Sequence, residues 1–120
     1  MTGAANLLSN AEKEQMPIHF RKNVEWVDVD QIMYCKAESN YSFIFLQNGR
    51  RIFTSRTLKY VGERLSAFNF LRIHATYLVN PDFILQLHKN KKFQVELKDK
   101  TRLDVARSKR EIFRNIIITH

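Results

Sequence analysis

The chain has 120 residues and a formal net charge of +8, which is one domain with room for one real core and a balance that suits an acidic partner: nucleic acid, an anionic surface or an acidic protein. Hydrophobic residues make up 44 % of it, nine of them Phe, so a folded domain rather than a disordered chain is expected. Three scattered glycines exclude a Gly-rich phosphate cradle, one cysteine excludes an intrachain disulfide, and no apolar run approaches the ~18 residues of a transmembrane helix.

Residues 1–16 are small and polar apart from Leu7-Leu8 and read as a flexible lead-in or linker remnant, with the domain proper at 17–120. No basic region followed by a long apolar run opens the chain, so it carries no secretory signal. With the lone Cys35 in an apolar run, a reducing, cytoplasmic setting follows.

Pro17 marks the start of order, and Ile18-His19-Phe20 begins a strand-like alternation. Strands are expected at 24–29 and 32–37. A further pair, 41–47 and 50–55, meets across Asn48-Gly49, a hairpin signal in which both turn residues accept positive φ. In 41–47, Phe43 and Phe45 line one face and Ile44 and Leu46 the other, which predicts a strand buried on both sides.

Residues 57–66 read as a helix with Leu58, Val61 and Leu65 on one face and Thr57 as cap. Residues 70–79 return to strand character and close at the turn Asn80-Pro81-Asp82. Strands at 83–88, 92–98 and 101–106 form a meander, the first two flanking the basic turn Lys89-Asn90-Lys91. A last helix opens on a capping box, Ser108-Lys109-Arg110-Glu111, with Ile112, Phe113, Ile116 and Ile117 as its apolar face.

His19, His74, His88 and His120 show no metal-ligand spacing with each other or with Cys, Asp or Glu. No nucleophile elbow or Cys–His arrangement is legible. An enzyme reading has little to stand on, and no cofactor is called for.

Three stretches set polar or basic residues beside apolar elements: Glu38-Ser39-Asn40-Tyr41, Arg72-Ile73-His74-Ala75-Thr76-Tyr77 and Arg107-Ser108-Lys109-Arg110. The third puts three cations at a helix N-terminus, against the helix dipole. A DNA phosphate would resolve that conflict; a solvated basic turn is the plain alternative. Arginine also reads guanine bidentately in the major groove, so Arg107 can supply specificity as well as attraction.

In order and spacing these stretches resemble the LytTR family of DNA-binding domains. The apolar strand 32–37 runs into Glu38-Ser39-Asn40-Tyr41, and Arg56-Thr57-Leu58 opens the helix. Phe70-Leu71-Arg72-Ile73-His74-Ala75-Thr76-Tyr77-Leu78-Val79-Asn80 matches the family's Phe-x-Arg-x-His-x-Ser/Thr-Tyr-x-Val-Asn block, and Val105-Ala106-Arg107 precedes the last helix. The resemblance covers residues 17–118.

It implies a mainly β fold of small antiparallel sheets stacked side by side, with a short central helix and a C-terminal helix. It implies sequence-specific binding to double-stranded DNA, with loops entering successive major grooves. The contacts it implies are Ser39, Asn40, Tyr41 and Ser42; Arg72, His74, Ala75 and Thr76; and Arg107, Ser108, Lys109 and Arg110.

Members of the family commonly occupy paired direct repeats, so a second copy on one operator is expected, with no membrane partner. Such a domain usually follows a receiver domain, which 16 residues cannot form; it is then a response-regulator output domain or a stand-alone regulator. One departure is Ala75, where the family often has a basic or polar residue. Alanine can touch a thymine methyl but cannot donate a hydrogen bond.

Each of these residues also has a structural alternative: Asn40 holding a turn, Tyr41 packing on the sheet edge, His74 satisfying a buried backbone group, Asn80 holding the turn before Pro81. The rival function is a protein-interaction module that binds an acidic partner.

Overall fold

The computed structural model of the protein describes residues 13–118, with side chains through residue 114; Ile116 and Ile117, expected on the last helix's apolar face, lie beyond those side chains. Strand β1 is Gln15–Phe20 and β2 is Asn23–Asp28, paired as a two-stranded hairpin. Next come β3 (Ile32–Glu38), β4 (Tyr41–Leu46), β5 (Arg51–Thr54) and helix α1 (Leu58–Leu65). They are followed by β6 (Leu71–Arg72), β7 (Tyr77–Val79), β8 (Ile84–Lys89), β9 (Phe93–Leu97), β10 (Arg102–Asp104) and helix α2 (Glu111–Ile118). The larger sheet has the order β5-β4-β3-β7-β6, and the smaller β10-β9-β8, all antiparallel. Mainly β, in three small sheets with two short helices, is the architecture the sequence led to.

Two apolar cores flank the five-stranded sheet. On one face, Leu58, Val61 and Leu65 of α1 pack with Met16, Ile18 and Val27 of the hairpin against Ile32, Cys35, Ile44 and Leu46. On the other, Val95, Leu97 and Leu103 of the small sheet, with Phe113 of α2, cover Met33, Tyr34, Ile73 and Val79. Burial pushes the Cys35 thiol far up from its ordinary value, consistent with a core residue rather than a nucleophile. The Tyr34 phenol is pushed up to about 12, by desolvation first and then by the nearby charge of Asp99.

Four local expectations change. The strand buried on both sides is β3, whose residues 32–35 are all buried because it is the central strand between the two cores. In β4 only Ser42, Ile44 and Leu46 are buried; Phe45 stacks on Tyr34 at 4.4 Å and Phe43 lies under Arg51 at 4.8 Å. In the β4–β5 turn only Gly49 takes positive φ, +91°, while the Asn48 side chain accepts from the Arg50 amide at 2.9 Å. That is a three-residue loop ending in a left-handed glycine, not a two-residue turn.

The expected single strand 70–79 is a hairpin, β6–β7, folded back at 73–76 and paired Leu71 to Val79 and Arg72 to Leu78. Finally, the capping box does not form. Residues 107–109 make a 3-10 turn whose preceding residue is Ala106, and the helix starts at Glu111. The chain is pinned there by the Ala106 amide donating to the Ile73 carbonyl at 2.8 Å, and the Glu111 carboxylate turns to Arg114 instead of back to Ser108.

Thr57 does cap α1, accepting from the Tyr60 amide at 3.1 Å. Asn80, 4 % exposed, donates to the Ile32 carbonyl and accepts from the Asp82 amide, both at 3.0 Å, which joins the start of β3 to the turn after β7. No helix among the described residues is long and apolar enough to cross a membrane.

On the outer face of the small sheet, Glu96 accepts from His88 at 2.6 Å and Gln86 at 3.2 Å, with Arg102 and Lys100 at 3.6 and 3.8 Å. The hydrogen bond from His88, then that from Gln86, holds its carboxyl below the ordinary glutamate value despite desolvation.

Asn80→Ala is expected to cost about 1–3 kcal/mol in urea unfolding with an unchanged m-value, because it leaves the buried Ile32 carbonyl without its donor. A lowered folded-state pKa stabilises fully above the unfolded value, 4.5 for Glu96, and loses that contribution as pH falls through the folded value. The stability advantage of the native chain over Glu96→Gln should therefore be constant above about pH 5 and shrink below it. Thermal unfolding from pH 3 to 7 measures this, and a pH-independent difference contradicts it.

Candidate nucleic-acid interface

The three polar stretches singled out in the sequence meet at one end of the five-stranded sheet, and backbone hydrogen bonds bring them there. The β3–β4 connection is two residues, Ser39 and Asn40, between the paired Glu38 and Tyr41. Ser39 takes φ +56°, so the turn is tight and both residues are exposed. Beside it, the Ala37 amide donates to the Thr76 carbonyl at 2.8 Å, which ties the end of β3 to the β6–β7 loop. On that loop's other side the Ile73 carbonyl accepts from Ala106, which ties it to the turn carrying Arg107. The row is therefore Ser39–Asn40, then 73–76, then 106–110.

The middle loop is built by its own polar groups. The Arg72 guanidinium donates from Nε to the His74 carbonyl at 2.8 Å and from Nη2 to the Ala75 carbonyl at 2.6 Å. His74 Nδ1 accepts from the Thr76 amide at 3.0 Å. With Nδ1 acting as acceptor, the neutral ring carries its proton on Nε2, which is left as a donor. The Tyr77 ring lies 5.7 Å from the imidazole. Arg72 thus shapes the loop, and His74 serves the backbone with Nδ1. Ala75 is exposed at the tip, and Thr76 is half-buried with its carbonyl taken by Ala37.

One expected contact residue is not presented. Ser42 is fully buried and its hydroxyl donates to the Arg56 carbonyl at 2.9 Å, because residue 42 points into the α1 side of the sheet. Tyr41 is 47 % exposed but leans on the sheet, its ring 5.2 Å from Phe53. Arg107 and Ser108 are exposed and Lys109 half-buried. Arg110 is exposed with its guanidinium 5.2 Å over the Phe93 ring.

The fold also adds residues that sequence reasoning left out. The β8–β9 turn brings Lys91 and Lys92 to a cleft shared with His74 and Arg110. The basic run was visible in the sequence; its place beside the loops depends on how the small sheet docks. Among the described residues no group of three or more His, Cys, Asp or Glu could hold a metal ion.

The fold and this end of it define a small β module that presents three adjoining polar loops, the last of them rich in cations. The model of the LytTr DNA-binding domain family matches residues 22–118, and the chain belongs to that family. Among solved structures, it is similar in fold to the LytTr DNA-binding domain of a Bacillus cereus protein described as a methyl-accepting/DNA response regulator. The TM-score is 0.71 at 18 % identity, over 88 % of this chain and 97 % of the other. No curated protein matches.

Arg72→Ala should leave the fold in place but remove the guanidinium from the carbonyls of His74 and Ala75, leaving the Tyr77 amide as the donor to the His74 carbonyl. Amide exchange at Thr76, Tyr77 and Ala106 is expected to accelerate about tenfold or more, with core amides of β3 and β9 unchanged. Arg72→Lys should not restore protection, since an ammonium lacks the fork that spans two carbonyls. Unchanged exchange in Arg72→Ala would show that the loop holds its shape without the guanidinium.

Proposed function

We propose that this domain binds double-stranded DNA at a specific sequence and regulates transcription, as the output domain of a response regulator or as a stand-alone regulator. The observation that carries the reading is the continuous row of loops joined by the Ala37–Thr76 and Ala106–Ile73 hydrogen bonds. A row of this kind can follow a duplex and offer each groove or phosphate a different set of donors.

In this reading Arg107 and the Ser39–Asn40 turn read base edges, with Arg107 suited to the O6 and N7 acceptors of guanine. His74 donates through Nε2. Lys109 and Arg110 contact phosphates and supply affinity that falls with salt. Ala75 offers a methyl only, so it recognises at most a thymine methyl. Arg72 acts through the loop it shapes, and Ser42 takes no part. Two copies on paired direct repeats need no stable dimer in solution.

Selection from a random duplex pool should enrich a short motif, and Arg107→Ala should bind that motif about 10- to 100-fold more weakly while binding random duplex nearly as well as the native chain. Equal binding of all duplexes by the native chain would sink the specific-regulator reading and favour an acidic protein partner.

A further inference from the structure

Between the β8–β9 turn and the start of α2 lies a cleft of about 270 Å³, lined by His74, Lys91, Lys92, Asp104, Ala106 and Arg110. We propose that this cleft seats one backbone phosphate of the bound duplex, gripped by Lys91, Lys92 and Arg110. The proposal rests on the DNA-binding reading and adds to the three loops a fourth contact from a different sheet.

Phe93 fixes the geometry. It follows Lys92 directly, its carbonyl accepts from the Val105 amide at 2.9 Å, and its ring packs 6.1 Å from that of Phe113 in α2. The Arg110 guanidinium lies 5.2 Å over the same Phe93 ring. The turn lysines and the arginine are therefore held on two walls of one cleft by a single anchored aromatic. A guanidinium stacked on a ring keeps its edge N–H groups free, in the planar arrangement that suits two phosphate oxygens.

The charges of the cleft are not cancelled from within. Asp104 is its one carboxylate, and it accepts from Gln94 at 2.7 Å across the β9–β10 pair. Among the described residues, Lys91, Lys92 and Arg110 have no carboxylate within 4.0 Å. The wall opposite adds the Nε2–H of His74, whose other nitrogen is already engaged. With three cations and the His74 donor against the one carboxylate of Asp104, a small anion is the occupant this chemistry fits. Because Ala106 belongs both to the cleft and to the hydrogen bond that sets the loop row, that anion lies alongside any duplex the loops engage.

The test compares the native domain with Lys91→Ala/Lys92→Ala on one duplex, reading the slope of log affinity against log salt. Removing one phosphate contact should lower the slope by about 1 and leave the selected motif unchanged. A control that removes equal charge elsewhere, Lys22→Ala/Lys59→Ala, should leave the slope as it was. Methylphosphonates placed singly along the duplex should reveal one position that weakens the native domain and has no further effect on Lys91→Ala/Lys92→Ala. An unchanged slope in the turn variant, or an equal fall in the control, overturns the seat. If the native domain prefers no motif, the specific-regulator reading fails while the slopes on that duplex still decide the seat. If it binds no duplex at all, both fall.

Discussion

The loop between β6 and β7 lends carbonyls in two directions, Thr76 to Ala37 and Ile73 to Ala106, and the interface depends on that arrangement. The first continues the β3–β7 ladder by one rung, and the second joins the loop to the turn before α2 outside any ladder. Each closes a gap between elements that are far apart in sequence: the end of β3, a hairpin some forty residues later and the turn before α2. The loop can lend both carbonyls only if its own tip is satisfied from inside, which Arg72 and His74 achieve. A flexible loop of the same length would set Ser39–Asn40 and Arg107 at no fixed spacing, and a duplex with a fixed groove spacing would gain nothing from their adjacency.

The distribution of charge agrees with this geometry. Away from the loop row some cations are paired, Arg50 with Glu25 at 2.7 and 3.0 Å and Lys100 and Arg102 with Glu96, while Lys22, Lys36, Lys59 and Lys89 have no carboxylate within 4.0 Å among the described residues. Arg56 and Arg64 share the Tyr60 ring, and Arg51 covers Phe43. Along the row, Lys91, Lys92, Arg107 and Lys109 find no carboxylate within 4.0 Å among the described residues. Part of the +8 excess therefore stands beside the loops with no carboxylate in contact to cancel it.

Much of this was legible in the residues. The periodicity of 57–66 with Thr57 ahead of it located α1, the Arg-x-His…Tyr-x-Val-Asn block marked the middle loop, and Arg107 followed from cations set against the dipole of a helix N-terminus. What the sequence left unread depended on contacts distant in the chain. The run 70–79 is apolar enough for one strand, but the Ile73 and Tyr77 amides bond back within it and the Arg72 and His74 side chains bond to the backbone at 74–76, which makes it a hairpin. Ser108 to Glu111 has capping-box spacing, but a bond from Ala106 to a residue some thirty positions earlier set the entry to α2 first. Ser42 looked like part of a polar turn because alternation alone does not say which face of β4 meets α1. Lys91 and Lys92 looked like an ordinary solvated turn until the small sheet was placed.

Ala75 shows how these constraints bear on recognition. It sits at the tip of the middle loop with its carbonyl held by Arg72, so neither its side chain nor its oxygen is available for a polar contact. The polar capacity of the loop therefore passes to the neighbouring imidazole, whose Nδ1 is occupied and whose Nε2 has one hydrogen bond to give. A base edge or phosphate facing this loop must accept, not donate. Of the outer two loops the first carries no such restriction, since Asn40 both donates and accepts; Arg107 also only donates, but from a fork that can engage two acceptors at once. On the proposed reading, discrimination therefore lies at the ends of the row, and the middle loop is chiefly the spacer between the other two.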